Sequence, residues 1–344
     1  MKFFDIFCGA GGISYGLVKA GFRSLGGLDK FRDATITYEI AIGSKVLLKD
    51  AFRISQEDLK RVVEEADLLA GCPPCQGFST IKVARFGKDD RRNDLVTYYA
   101  DLVRIAKPKA VVFENVPPVK KDPRFLYLVN VLKENGYSYA YSVLNAADYG
   151  VPQLRRRLVL IAVRGVDKVE FPEPDHGDPN SEPVRKGVLR PWRTVRDAIG
   201  DLPSVEDGEC HPSDPMHCAK KLNPRYKEII RHVPKDGGSR DSVPEELLLP
   251  THRKHKTSFK STFGRLWWDR PSVTITTKFY DISAGRFGHP EQDRGLTLRE
   301  GARLQTFPDD YPFKGSFRSI ARQIGEAFPP LLAEKIGRRL REYV

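Results

Sequence analysis

The sequence predicts an α/β protein: a parallel sheet covered by helices, joined to a smaller irregular region. Three observations carry that reading. Short apolar runs alternate with amphipathic stretches through the first 165 residues, the rhythm of βαβ units. The first run ends in a glycine-rich turn that opens a helix. From Phe171 onward, prolines, glycines and charges replace the alternation.

Phe3 to Phe7 is the first apolar run and reads as a strand, and the glycine turn after it leads into an amphipathic helix over Ile13 to Lys19. Arg23 to Leu28 is the second strand. A further apolar stretch precedes Asp50, followed by a helix over Asp58 to Glu65 and a strand over Asp67 to Ala70. Asp94 to Ala106 reads as a helix, Ala110 to Phe113 as a strand, and Phe125 to Asn135 as a helix that Gly136 stops. Leu158 to Val163 is the last strand. Pro172, Pro174, Pro179, Pro183 and Pro191 then break any long element before a short helix at Val195 to Ile199. Residues from about Pro203 to Gly295 are turn-rich, with many histidines and basic residues. Thr297 to Val344 returns to helical spacing, a tail able to pack back on the first part.

At 344 residues the chain has room for one large and one smaller domain. No run approaches the roughly 18 apolar residues of a membrane span, and the start lacks a signal-peptide layout, so a cytoplasmic protein with no membrane partner is expected. Lysine and arginine total 57 against 45 acids, a formal charge of +12, which favours a polyanionic partner. Lys82 to Arg92 holds five basic residues against two acids, and Arg253 to Lys278 holds seven against one. Phe86 lies in the first cluster, Trp267 and Trp268 in the second. Cations beside flat rings suit nucleic acid, although either segment also fits a solvated loop. Five cysteines in a cytoplasmic chain do not point to a disulfide framework. Heavy use of Lys, Arg and Glu with two methionines hints at a thermophilic source.

The chemistry-bearing residues gather at strand ends. Pro73-Pro74-Cys75-Gln76-Gly77-Phe78 follows the third strand, and the prolines fix the backbone that presents Cys75. Phe7-Cys8-Gly9-Ala10-Gly11-Gly12 lets a ligand approach the backbone beside a helix N-terminus, but its spacing is not that of a dinucleotide site. Asp29 can accept from ribose hydroxyls and Asp50 from an adenine amino group. An adenosine without a diphosphate points to S-adenosylmethionine, with S-adenosylhomocysteine as product. Glu114 ends the fourth strand, on the carboxyl edge that also carries Cys75, where open α/β sheets bind ligands. Gln153, Arg155 and Arg157 share one face at a period of two; they either act on a cysteine or phosphate or simply face water.

These motifs together resemble the DNA (cytosine-5) methyltransferase family of prokaryotic type, in family order and over nearly the full length. They are the Phe7 to Gly12 turn, Pro74 to Gln76, Glu114 to Val116, Gln153 to Arg157, Arg270-Pro271-Ser272-Val273-Thr274, and Gln323 to Pro330. The resemblance implies a Rossmann-like S-adenosylmethionine-dependent methyltransferase sheet in residues 1–202 plus 297–344. It implies a smaller irregular target-recognition domain in residues 203–296. It implies that Cys75 adds to C6 of a flipped cytosine, that Glu114 holds the ring at N3 and the amine, and that Arg155 and Arg157 support them. Phe7, Gly9, Gly11, Gly12, Asp29, Asp50, Pro74, Leu95, Glu326 and Ala327 are the implied cofactor residues. Gln76, Ser79, Asn115, Val116, Gln153, Arg270 and Thr274 are implied in substrate or structural support. The stretch from Ser79 to Asn93 corresponds to a loop that closes over DNA. Duplex DNA is the implied partner of a monomer, with a cognate restriction endonuclease acting on the same site. No metal is expected.

Two positions depart from the family pattern. Glu326 stands where asparagine is usual, and Asp29 where glutamate is usual. Among other readings, Cys72-Pro73-Pro74-Cys75 has the spacing of a redox pair or half a zinc site. Cys210, His211, His217 and Cys218 offer a second zinc set, and tRNA is an alternative methyl acceptor.

Overall fold

The computed structural model describes residues 1–74, 90–250, 253 and 261–344. Among them, seven strands form one sheet in the order β3-β2-β1-β4-β5-β7-β6. Strands β1 (Lys2–Ile6), β2 (Arg23–Asp29), β3 (Val46–Leu48), β4 (Leu68–Gly71) and β5 (Ala110–Asn115) run parallel. Their connections are the helices α1 (Gly12–Lys19), α2 (Arg32–Ile42), α3 (Gln56–Val63) and α4 (Asp94–Ala106). After β5 come α5 (Pro123–Glu134), β6 (Tyr137–Asn145) and β7 (Arg156–Arg164).

Strand β7, expected to join a parallel sheet, instead runs antiparallel to both β5 and β6. The reason is β6, which the sequence reading passed over. It is a half-buried edge strand, Tyr-Ser-Tyr-Ala-Tyr-Ser-Val-Leu-Asn, with little of the apolar continuity that marks the central strands. A short connection returns the chain from β6 as β7, which inserts beside β5.

Both faces of the sheet are covered. Leu95, Val96, Tyr99, Val103, Phe125, Leu128 and Leu132 from α4 and α5 pack on one side. Leu17 of α1 and Phe328, Leu332 and Ile336 from the tail pack on the other. Burying a leucine or phenylalanine of this kind stabilises by ~1.5–3 kcal/mol.

The tail helices are α8 (Leu298–Leu304), α9 (Phe317–Glu326) and α10 (Pro330–Leu340), following α6 (Val195–Ile199) and α7 (Pro224–His232). The tail lies against α1 so closely that a Cβ at Gly12 would stand 2.4 Å from the Phe328 carbonyl oxygen, and one at Gly16 2.4 Å from the carbonyl oxygen of Pro330 in α10. The expected return of the tail to the first part is therefore a backbone-to-backbone contact.

Residues 203–296 contribute no strand to the large sheet among the described residues. A hairpin pairs Cys210–His211 with Asp214–Cys218, and Asn223 caps α7 by accepting from the Tyr226 amide at 2.8 Å. A small cluster joins Ile229, Ile230, Val233, Val243, Phe263 and Ile282. The cysteine count argued against disulfides, yet Cys210 and Cys218 are bonded, because the hairpin register sets them opposite each other. Among the described residues no group of three or more His, Cys, Asp or Glu side chains is placed to hold a metal ion. His217 has also spent both ring nitrogens, on the Thr297 hydroxyl at 3.0 Å and the Pro203 carbonyl at 2.8 Å. No helix of the described residues is long and apolar enough to cross a membrane.

Candidate active site

Strand β5 carries Glu114 to the carboxyl edge and buries it, 8% exposed. Strand β7 delivers Arg157, whose Nε lies 3.0 Å from the Glu114 carboxylate. The Cys72 thiol, just past β4, donates a hydrogen bond to Glu114. Burial first, then the charge of Glu114, hold Cys72 protonated by raising its pKa well above the usual thiol range. Cys72 is thus a partner of the Glu114 carboxylate at the carboxyl edge of the sheet. Asn115 donates from Nδ2 to the Pro73 carbonyl at 3.1 Å and accepts the Val116 amide at 2.8 Å. It ties the end of β5 to the segment that enters Cys75. Cys75, Gln76 and Ser79 lie outside the described residues, as do most of the basic run Lys82 to Arg92 and part of Arg253 to Lys278.

Among the described residues the three aligned donors take different partners. Leu154 and Arg156 point to solvent while Gln153 and Arg155 are buried, as a period of two requires. Arg157 is the member of the three that pairs with Glu114. Arg155 donates to the carbonyls of Ile275 (3.0 Å), Gly325 (3.3 Å) and Ala327 (2.9 Å), so it clamps the closing motif to the sheet. Gln153 accepts the Ile275 amide at 2.8 Å and donates to Leu304 and Gln305. Thr274 donates to the Leu154 carbonyl at 2.8 Å, and Arg270 lies four residues earlier on the same segment. Sequence reasoning missed Gln305, which donates to the carbonyls of Ile324 and Ala327. No local pattern marks it, because its partners are distant in sequence.

At the glycine turn, Phe7 (φ 64°), Gly9 (φ 51°) and Gly11 (φ 89°) adopt left-handed geometry. A Cβ at Gly9 would meet nothing within 4 Å, so the turn is open above it. Asp29 ends β2 and accepts the Gly9 and Phe31 amides, each at 2.9 Å. Burial raises its pKa against those bonds. Its remaining lone pairs are available to a hydroxyl. Asp50 accepts the Phe52 amide at 3.1 Å and pairs with Lys30 at 3.2 Å; these outweigh partial burial and keep its pKa low. Glu326 pairs with Arg322 at 3.0 Å, and the Arg322 guanidinium lies 3.6 Å over the Phe31 ring. Leu95 is buried in the core beside Ile6 and Leu28, and Pro74 is half-buried at the edge of the description. Gly9, Asp29 and Phe31 share one rim of the sheet; Asp50 stands farther out, beyond β3.

A family model described as C-5 cytosine-specific DNA methylase matches residues 1–342. The chain belongs to that family. This C-5 cytosine methylase is 36% identical to the Type II methylase M.HgiDII of Herpetosiphon aurantiacus, across 99% of the chain and 95% of the relative. It is 35% identical to the Type II methyltransferase M1.HphI of Haemophilus parahaemolyticus, across 98% and 85%. Its fold matches a solved E. coli prophage-encoded protein with TM-score 0.70 at 24% identity over 99% of both chains. It also matches the Entamoeba histolytica methyltransferase EhMeth with TM-score 0.69 at 15% identity. The sheet is the Rossmann-like methyltransferase fold, and the chain is a DNA (cytosine-5-)-methyltransferase.

Proposed function

We propose that the enzyme uses Cys75 as nucleophile and S-adenosylmethionine as methyl donor, and that it modifies a specific duplex sequence as part of a restriction-modification system. The observation that carries this reading is the buried Glu114–Arg157 pair at the carboxyl edge. It sits one residue from Asn115, which holds Pro73, two positions before Cys75. In this reading Glu114 binds the pyrimidine at N3 and the exocyclic amine, and Arg157 keeps its carboxylate oriented. The Cys75 sulfur adds to C6, C5 gains the methyl group, and loss of the C5 proton expels the thiolate. Flipping the base gives Cys75 access to that carbon.

The open turn over Gly9 and the Asp29 carboxylate beside it fit an adenosyl group, which Phe7, Gly9, Gly11, Asp29 and Asp50 would hold. The cofactor supplies an electrophilic methyl. We assign residues 203–296 as the target-recognition part and the remainder as the catalytic part.

The test is methyl transfer from labelled S-adenosylmethionine to duplex DNA or to tRNA. Label in DNA that disappears in Cys75→Ala, with duplex binding retained, is expected. Label in tRNA with blank DNA would overturn the substrate, and turnover by the alanine variant would overturn the nucleophile. Bisulfite sequencing of the modified duplex then reads the target site.

A further inference from the structure

Trp267 is half-buried in the segment that bridges residues 203–296 to the catalytic edge, and two guanidiniums lie over its ring. Arg286 stands 4.1 Å from the ring centroid and Arg270 stands 4.9 Å from it. The indole is fixed. Gly237 (φ 92°) lets the ring lie directly against the backbone, where a Cβ would fall 1.8 Å from Trp267 Nε1.

The two arginines differ in what they are free to do. Arg286 donates to the carbonyls of Gly237 (2.8 Å), Gly238 (2.9 Å) and Arg265 (2.8 Å), so it is a brace. Arg270 is exposed, and among the described residues its guanidinium has no hydrogen bond and no ion pair. Its neighbour Asp269 does not neutralise it, because that carboxylate is engaged by Arg196 at 2.7 and 3.1 Å. Burial and then the charge of Arg270 push Arg286 below the ordinary guanidinium range, against the smaller opposing pull of the Asp241 carboxylate.

The backbone beneath Arg270 is anchored toward the active site. The Arg270 carbonyl accepts the Val195 amide at 2.9 Å. Ser272 then exchanges backbone bonds with Pro152 (3.0 Å) and Leu154 (2.8 Å), on the segment that leads into Arg157. Arg270 is therefore a preorganised, uncompensated planar cation held a few residues from the catalytic strand.

We infer that Trp267 and Arg270 form a phosphate-contacting shelf for the duplex, with Arg270 gripping one phosphodiester and the indole holding it in place. The guanidinium fork matches phosphate oxygens, and a side chain already stacked loses little freedom on binding. The inference rests on duplex DNA as substrate, in keeping with the family and the charge of +12.

The experiment titrates the full chain against a short mixed-sequence duplex between about 50 and 200 mM salt, since phosphate contacts are independent of sequence. Arg270→Ala should bind about tenfold more weakly and flatten the plot of log affinity against log salt by about 0.9. Arg270→Lys should restore the slope while remaining weaker than wild type, which also guards against a folding defect in the alanine variant. Trp267→Leu should weaken binding severalfold. Unchanged slope and affinity in Arg270→Ala would overturn the shelf, and wild-type affinity in Trp267→Leu would overturn the stacking role. Wild-type enzyme that neither binds nor methylates duplex DNA would instead overturn the substrate reading.

Discussion

Around the seven-stranded sheet the largest fully buried side chains are Tyr38, Tyr99, Phe3, Phe4, Phe113 and Phe125, whereas in residues 203–296 the largest is Arg265, a guanidinium with no exposed surface. Arg265 donates to the carbonyls of Val233 (3.0 Å), Ile230 (2.8 Å), His289 (3.0 Å) and Gln292 (2.6 Å), and also pairs with Asp293. Beside it, Arg294 and Glu300 form a buried pair at 2.8 Å that caps α8 through the Glu300 bond to the Thr297 amide. The sheet satisfies its backbone in ladders and is free to bury hydrocarbon. The irregular region has few ladders, so buried arginines take up the stray carbonyls. An apolar core is non-directional and tolerates adjustment, while a hub of this kind fails when one member is removed.

The comparison breaks first at its hub. Arg265→Met should cost about 3–5 kcal/mol, and urea unfolding should show residues 203–296 loosening before the sheet. Limited proteolysis locates the change, and a single transition with the cuts spread evenly would deny that the two regions differ. Phe113→Ala should cost about as much, ~3–5 kcal/mol, but in one cooperative step that takes the sheet with it.

Glu114→Gln sharpens the functional side. Methylation should slow by about 100-fold or more with the fold retained by circular dichroism; a rate within about threefold of wild type would remove Glu114 from the chemistry.

Acid should act next. His289 is buried, which lowers its pKa from 6.5 to about 4, so between those values the unfolded chain takes a proton that the folded chain refuses. That stability is present above pH 6.5 and is lost as pH falls toward 4. Glu300, held down to about 2 by Arg294 despite its burial, adds a loss as pH falls below 4.5. Both lie at the base of the irregular region, where the rings of Trp268 and His289 meet at 5.3 Å. Tryptophan fluorescence should therefore change at higher pH than the far-ultraviolet signal of the sheet.

The smallest effect belongs to the surface. Arg303 pairs with Asp201 and Asp309, both well exposed. Asp201→Asn should change stability by less than about 1 kcal/mol, measured as the shift in thermal midpoint.

The central strands were legible because hydrophobic continuity is a local signal, as at Leu68 to Gly71 and Ala110 to Asn115, and the glycine turn because left-handed backbone favours glycine. Glu114 was legible from its place at a strand end. Strand β6 was passed over because its half-buried residues lack the apolar continuity of the central strands, although the alternation of Tyr137, Tyr139 and Tyr141 with small residues is itself a strand signal. Alternation gave the face of Arg155, but its bonds to the Gly325 and Ala327 carbonyls, 170 and 172 residues away, leave no local mark.

By itself the sequence determined the strand-turn-helix order, the family and the place of Glu114 at the end of a strand, because each depends on neighbours along the chain. The tertiary structure alone decided that β7 runs antiparallel, that Cys72 joins Glu114, that the tail seats on Gly12, and that arginines hold residues 203–296 together. Those contacts join groups far apart in the chain, and their energies depend on burial and approach distances that no local pattern encodes.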